Sequence, residues 1–205
     1  MQIQIDPFAF GTALFAVLIA WRAHFLAKSA PEVARRRELR DSIRAHVQTF
    51  DSALADVDTA LQMGKPLPEK PEEVETAAVS IHALASRVPE EARVLLLHTY
   101  MQSVASRWSM AHHDEVRLLS ALDAEQGWQD EANASAARNA KADEFVRRTL
   151  SDYRGQVERG RRAADASRTT LREGIGKYKA ERKIYIDWLD ELDRSKGHGS
   201  NRVLV

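Results

Sequence analysis

Seven histidines and no cysteine set the limits on metal and nucleophile chemistry in this chain. Without cysteine there is no disulfide, no thiolate catalysis, no Cys-ligated zinc and no palmitoyl anchor. His98, His112 and His113 stand near Asp114 and Glu115, and His112 and Glu115 are three apart, on one face of a helix. A di-iron bundle site needs Glu three residues before His on two helices. The residues three before His24, His46, His82, His98, His112, His113 and His198 are Trp21, Ile43, Val79, Leu95, Ser109, Met110 and Ser195. No HExxH pair occurs either, so the histidines read as surface or bundle-edge residues. Gly174-Ile175-Gly176-Lys177 has the look of a phosphate loop, but Leu171 stands where the Walker pattern needs glycine, and Tyr178 follows the lysine. The sequence therefore predicts no catalytic residue, no metal ligand and no cofactor.

Charge is the stronger feature. The formal net charge is zero, yet residues 51–131 are mostly acidic and residues 147–183 mostly basic. The basic stretch holds Arg147, Arg148, Arg154, Arg159, Arg161, Arg162, Arg168, Arg172, Lys177, Lys179, Arg182 and Lys183. Such a helix can bind the phosphates of lipid or nucleic acid. The expectation here is pairing with the acidic middle of the same chain or of a second subunit. Nucleic acid is not an expected partner, because no recognition motif accompanies the charge. Farther on, Ile184, Tyr185, Trp188, Leu189 and Leu192 form an aromatic and aliphatic cluster beside Asp187, Asp190 and Glu191. It is either the distal end of a core or a docking face for a partner.

These residues need elements to position them, and the first is residues 7–21, PFAFGTALFAVLIAW, which carry no ionisable side chain. Phe8, Phe10, Leu14, Phe15, Leu18 and Ile19 supply apolar bulk, and Trp21 sits where an interfacial aromatic is favoured. Fifteen helical residues span roughly 22 Å against a hydrocarbon core of roughly 30 Å. Flanking Ile3, Ile5, Phe25 and Leu26, with a snorkelling Arg22, extend the reach. The leader MQIQID has no basic residue, and the nearest small-residue site is followed by Pro31, so the segment reads as a retained anchor over residues 1–28. Arg22, Lys28, Arg35, Arg36, Arg37 and Arg40 follow the span and no basic residue precedes it. By the bias of Lys and Arg to the cytoplasmic side, the N-terminus faces out and the body faces the cytoplasm.

The rest of the fold is expected to be all-α: an elongated antiparallel bundle or coiled-coil body over residues 29–194, with a disordered tail at 195–205. Ser29-Ala30-Pro31-Glu32 has the layout of a capping box that starts a helix of about 30–63, or a kinked continuation of the anchor. Its stripe is Leu39, Ile43, Val47, Phe50, Leu54, Val57 and Leu61, spaced as in a coiled-coil seam that can also serve a homo-oligomer. Gly64 ends it, and GKPLPEKP at 64–71 is a loop that reverses the chain. A helix of about 71–88 buries Val74, Ala78, Ile81, Ala85 and Val88. The next, about 89–126, carries Val94, Leu97, Met101, Val104 and Trp108, then Val116, Leu119 and Leu122, and ends or bends near Gln126-Gly127. The last, about 128–194, begins in the Ala-rich 131–143 stretch, and Gly174 and Gly176 invite a break.

The functional expectation is non-enzymatic. A single-pass protein of a cell inner membrane, of bacterial type by its Ala/Arg-rich composition, holds a protein partner or its own oligomer against the membrane lipid. The alternative is envelope machinery with the body outside. The anchor-plus-coil layout resembles phage lysis proteins, although the basic residues after the span oppose that topology. A metal-binding helical enzyme is the third reading.

Overall fold

The structure is a computed structural model. It describes residues 7–135 and 140–198; the side chains of 7–14, 26, 29, 135, 140–143 and 195–198 lie outside the described part. Among the described residues the chain is all-helical, with α1 at Pro7–Met63, α2 at Glu72–Ala85, α3 at Glu91–Ser135 and α4 at Ala140–His198. It divides into two units, residues 1–42 and residues 43–205.

In the first unit, α1 runs through Pro31 without a new start. A cap contributes only about 1 kcal/mol, and Glu32 instead reaches forward to an ion pair with Arg36 four residues on. Among the described residues no helix is long and apolar enough to cross a membrane. The membrane-crossing helix expected at 7–21 is therefore not supported by the described residues. The side chains of Phe8, Phe10 and Leu14, half of that stretch's bulk, lie outside the described residues.

In the second unit the helices alternate in direction. Arg44 of α1 pairs with Asp190 and Asp193 of α4, Asp51 with Tyr178, and Leu61 with Arg172. Descending numbers in α4 against ascending ones in α1 make the two antiparallel. Pairs of α3 with α4 descend likewise, from Arg107–Thr170 through Asp114–Ser167 to Glu125–Arg154. The core follows the coiled-coil spacing. Ile43, Val47, Phe50, Leu54, Val57 and Leu61 of α1 are buried, as are Val74, Ala78, Ile81 and Ala85 of α2. Val94, Leu97, Met101, Val104 and Trp108 of α3 meet them, and Val157, Leu171, Ile175, Tyr178 and Leu189 of α4 close the core. The α1 seam is thus consumed inside the chain.

Among the described residues Gly64 is the one with positive φ, at 64°, and the Lys65 N–H reaches back to the Ala60 carbonyl at 3.0 Å. That is the left-handed cap expected of a glycine just past a helix. At the other turn, Arg87 and Val88 donate to the Leu84 and Ala85 carbonyls, and Val94 donates to Glu90, so residues 86–90 bind the end of α2 to the start of α3.

Two expected interruptions are absent. α3 passes through Gly127 to Ser135, and α4 passes through Gly174 and Gly176. Gly174 has a packing reason: a Cβ there would lie 2.9 Å from Arg107 Cδ. The two helices need that space, which outweighs about 1 kcal/mol of lost helix propensity. The stripe of α3 also differs from expectation beyond Trp108. Val116 and Leu119 are exposed, and the buried line continues through Ala111 and Glu115. A charged residue on the seam hid that line from a hydrophobic pattern. α4 continues to His198, into the tail expected from 195; residues 199–205 lie outside the described part.

Candidate functional site

The N-terminal part of α1 is the chain's most unusual surface. Phe15, Val17, Leu18, Ile19, Trp21 and Phe25 are each more than half exposed. At 100° per residue these positions cover an arc of roughly 200°, wider than one core-facing stripe, and exposed Ala16, Ala20 and Ala23 fill the rest, so no polar face remains between Phe15 and Trp21, a pattern that belongs to a helix in apolar surroundings. Trp21 and Phe25, one turn apart, touch each other at 6.4 Å between ring centroids. Arg22, Lys28, Arg35 and Arg37 are exposed and Arg36 is half-buried. Arg40 differs from these: it is buried, because it stands three residues before Ile43 on the seam face of the same helix.

The basic stretch of α4 meets the acidic middle of the same chain. Arg154 lies 3.4 Å from Glu125, Arg168 pairs with Glu115, Lys179 with Asp58, and Arg182 lies 2.5 Å from Asp51. Internal pairing thus accounts for part of the run. Arg159, Arg162, Lys177 and Lys183 are exposed.

Two of these pairs sit in polar clusters that hold the bundle together. Around Glu115, one carboxylate oxygen accepts the Leu67 backbone N–H at 2.7 Å and the other accepts from Arg168. Arg168 also donates to the Lys65 carbonyl and Arg172 donates to that of Leu61. Trp108 Nε1 donates to Pro68 at 2.7 Å, and His112 Nδ1 lies 3.0 Å from the Leu67 carbonyl. A proline-rich loop cannot make a backbone ladder, so α3 and α4 satisfy its carbonyls with side chains. His112 and Glu115 share a face, and both reach the loop at Leu67.

The second cluster lies between α1 and α4. The Tyr178 hydroxyl donates to Asp51 at 2.9 Å, and the Tyr178 ring packs 5.0 Å from that of Phe50. Burial pushes the Asp51 carboxyl above its ordinary value, against the lowering influence of Tyr178 and Arg182. Burial and the adjacent Asp51 push the Tyr178 phenol far upward, which keeps it a donor.

In the C-terminal cluster, Tyr185 and Leu189 are buried, Trp188 and Leu192 are half-buried, and Ile184 is exposed. The Arg93 guanidinium lies 4.7 Å over the Trp188 ring, a cation–π contact that ties the start of α3 to the end of α4. Tyr185 and Leu189 belong to the core, and Ile184 stands on the surface.

The histidine pair that the sequence did not connect is His82 of α2 and His98 of α3, whose ring centroids are 4.7 Å apart. They are sixteen residues apart, and only the α2–α3 turn brings them together. Burial, then the neighbouring His82, pull His98 below its ordinary value. The unfolded chain therefore binds more protons at His98 than the native one, and stability falls as pH drops from about 6.5 through the lowered native value. Asp51 works in the opposite sense: its raised native value makes the fold gain stability as pH falls toward 3.8. Urea unfolding at pH 7.5 and 5.5 should show wild type losing more stability than His98→Gln over that interval. Equal losses would remove His98 as the cause.

Among the described residues, no group of three His, Asp or Glu side chains is arranged to hold a metal. Comparison with protein-family models, with curated proteins and with solved structures finds no match.

Proposed function

We propose that this protein is a membrane-attached, non-enzymatic helical scaffold, with the apolar N-terminal part of α1 in the lipid and the body on the cytoplasmic side. The observation that carries this reading is the exposure of Phe15, Val17, Leu18, Ile19, Trp21 and Phe25 over a broad face of one helix. Apolar surface in water costs about 25 cal/mol per Å², so this segment favours an apolar solvent. The uncharged run from Pro7 to Trp21 extends it, and Arg22, Lys28, Arg35 and Arg37 then stand where anionic headgroups would lie. The long paired helices supply a body suited to presenting a surface to a protein partner or a second copy.

Membrane fractions from cells expressing the full chain test the attachment. The protein is expected to remain in the pellet through an alkaline carbonate wash. Leu18→Glu combined with Ile19→Glu, each charge costing about 2.5–3.5 kcal/mol at a bilayer centre, should move it to the supernatant. Release of the unmodified chain by the same wash would end the reading.

A further inference from the structure

The geometry points to a two-imidazole site for a borderline divalent transition metal, formed by His82 of α2 and His98 of α3. It rests on an observation separate from the membrane reading.

His82 follows buried Ile81, and His98 follows buried Leu97. Each imidazole therefore stands at the edge of the α2–α3 seam, one from each helix. The 86–90 turn fixes the register of the two helices, and the rings lie 4.7 Å apart at an interplanar angle of 44°. Imidazole nitrogen binds zinc at about 2.0–2.1 Å, so two such ligands at 90–110° about one ion put ring centroids about 4.5–5 Å apart. The observed separation falls within that range, so the helices need not move. Rotation of the rings about their own side-chain bonds turns one nitrogen of each toward a shared ion. His82 is exposed, which leaves room for waters to complete the coordination.

The chemistry also selects the metal. Imidazole suits zinc, nickel and copper, whereas magnesium and calcium take oxygen donors. No third His, Asp or Glu completes a cluster among the described residues, so affinity is that of a bidentate, water-completed site. An ion bound there joins α2 to α3 and, by binding only the native arrangement, favours the folded state.

The test uses the full chain in detergent with Cu²⁺ and Ni²⁺ at pH 7.5. Calorimetric titration should give one site per chain, weakened at least tenfold in His82→Gln and in His98→Gln. Pulsed electron paramagnetic resonance of the Cu²⁺ form should show two imidazole nitrogens in wild type and one in each variant. Equal binding by wild type and His82→Gln, or a single imidazole in the wild-type spectrum, would overturn the site. His82 is exposed and its replacement leaves the core intact, so the test stands even where His98→Gln unfolds. Residual binding common to wild type and both variants belongs to His24, His46, His112, His113 or His198, and would count against the pair if it were the only binding seen.

Discussion

Truncating Phe50 to alanine lowers the stability of the helical body by about 3–5 kcal/mol. Phe50 is fully buried on the α1 seam, between Val47 and Leu54. Its ring lies 5.0 Å from that of Tyr178, and such a pair contributes about 0.5–1.5 kcal/mol beyond area burial. Removing it leaves a cavity beside a tyrosine whose hydroxyl is tied to Asp51 at 2.9 Å, so the site cannot collapse freely. Urea unfolding followed by helical circular dichroism measures the loss. Gln48→Ala, at an exposed position of the same helix, serves as the control and should change stability by less than about 0.5 kcal/mol. If Phe50→Ala unfolds within 1 kcal/mol of wild type, the α1 seam does not carry the body.

The second large effect is expected at Glu115. Replacement by alanine should cost about 3 kcal/mol, because it leaves the Leu67 N–H without its acceptor and takes the partner from Arg168. Glu115→Gln separates the two contributions, since the amide oxygen still accepts from Leu67 while the ion pair is gone. Its loss should fall between wild type and Glu115→Ala. A double-mutant cycle with Arg168→Ala should give a coupling energy of about 1 kcal/mol or more, as contacting residues do. Additive effects at these two positions would mean that the 64–71 loop is held without them.

Much of the body was legible because its seam is regular. From Ile43 to Leu61 the apolar residues recur at three and four, and a helix packed on others buries that stripe. Gly64 and the prolines behind it marked the reversal, and glycine is the residue that takes positive φ at least cost. Where the structure departs from the local pattern, the causes are physical. Ser29–Glu32 reads locally as a helix start, yet a cap is weaker than the continuity of a long helix, so α1 runs on. Glu115 lies on the buried line of α3 because a loop N–H and Arg168 satisfy it, and no hydrophobic count detects a satisfied charge. Gly174 invites a break by its propensity, yet it makes room for Arg107, a contact 67 residues away in sequence.

The candidate sites were legible to different degrees. The apolar run ending at Trp21 is local, so the sequence alone delimits it. The pairing of basic α4 with acidic α1 and α3 could be anticipated in kind, from charge blocks, but not in its partners: Arg182 with Asp51 and Lys179 with Asp58 depend on register. His82 and His98 share no spacing signature, since the α2–α3 turn alone sets their approach.

Topology is the most direct test of the membrane-attached scaffold, and the chain suits it. Ser86 is exposed, and with no native cysteine Ser86→Cys would be the only thiol. In bacterial cells whose outer barrier is opened and inner membrane sealed, a membrane-impermeant maleimide should leave that thiol unlabelled in the membrane-bound protein. Lysis should then expose it to full labelling. Strong labelling before lysis would contradict a cytoplasmic body and place it outside the inner membrane.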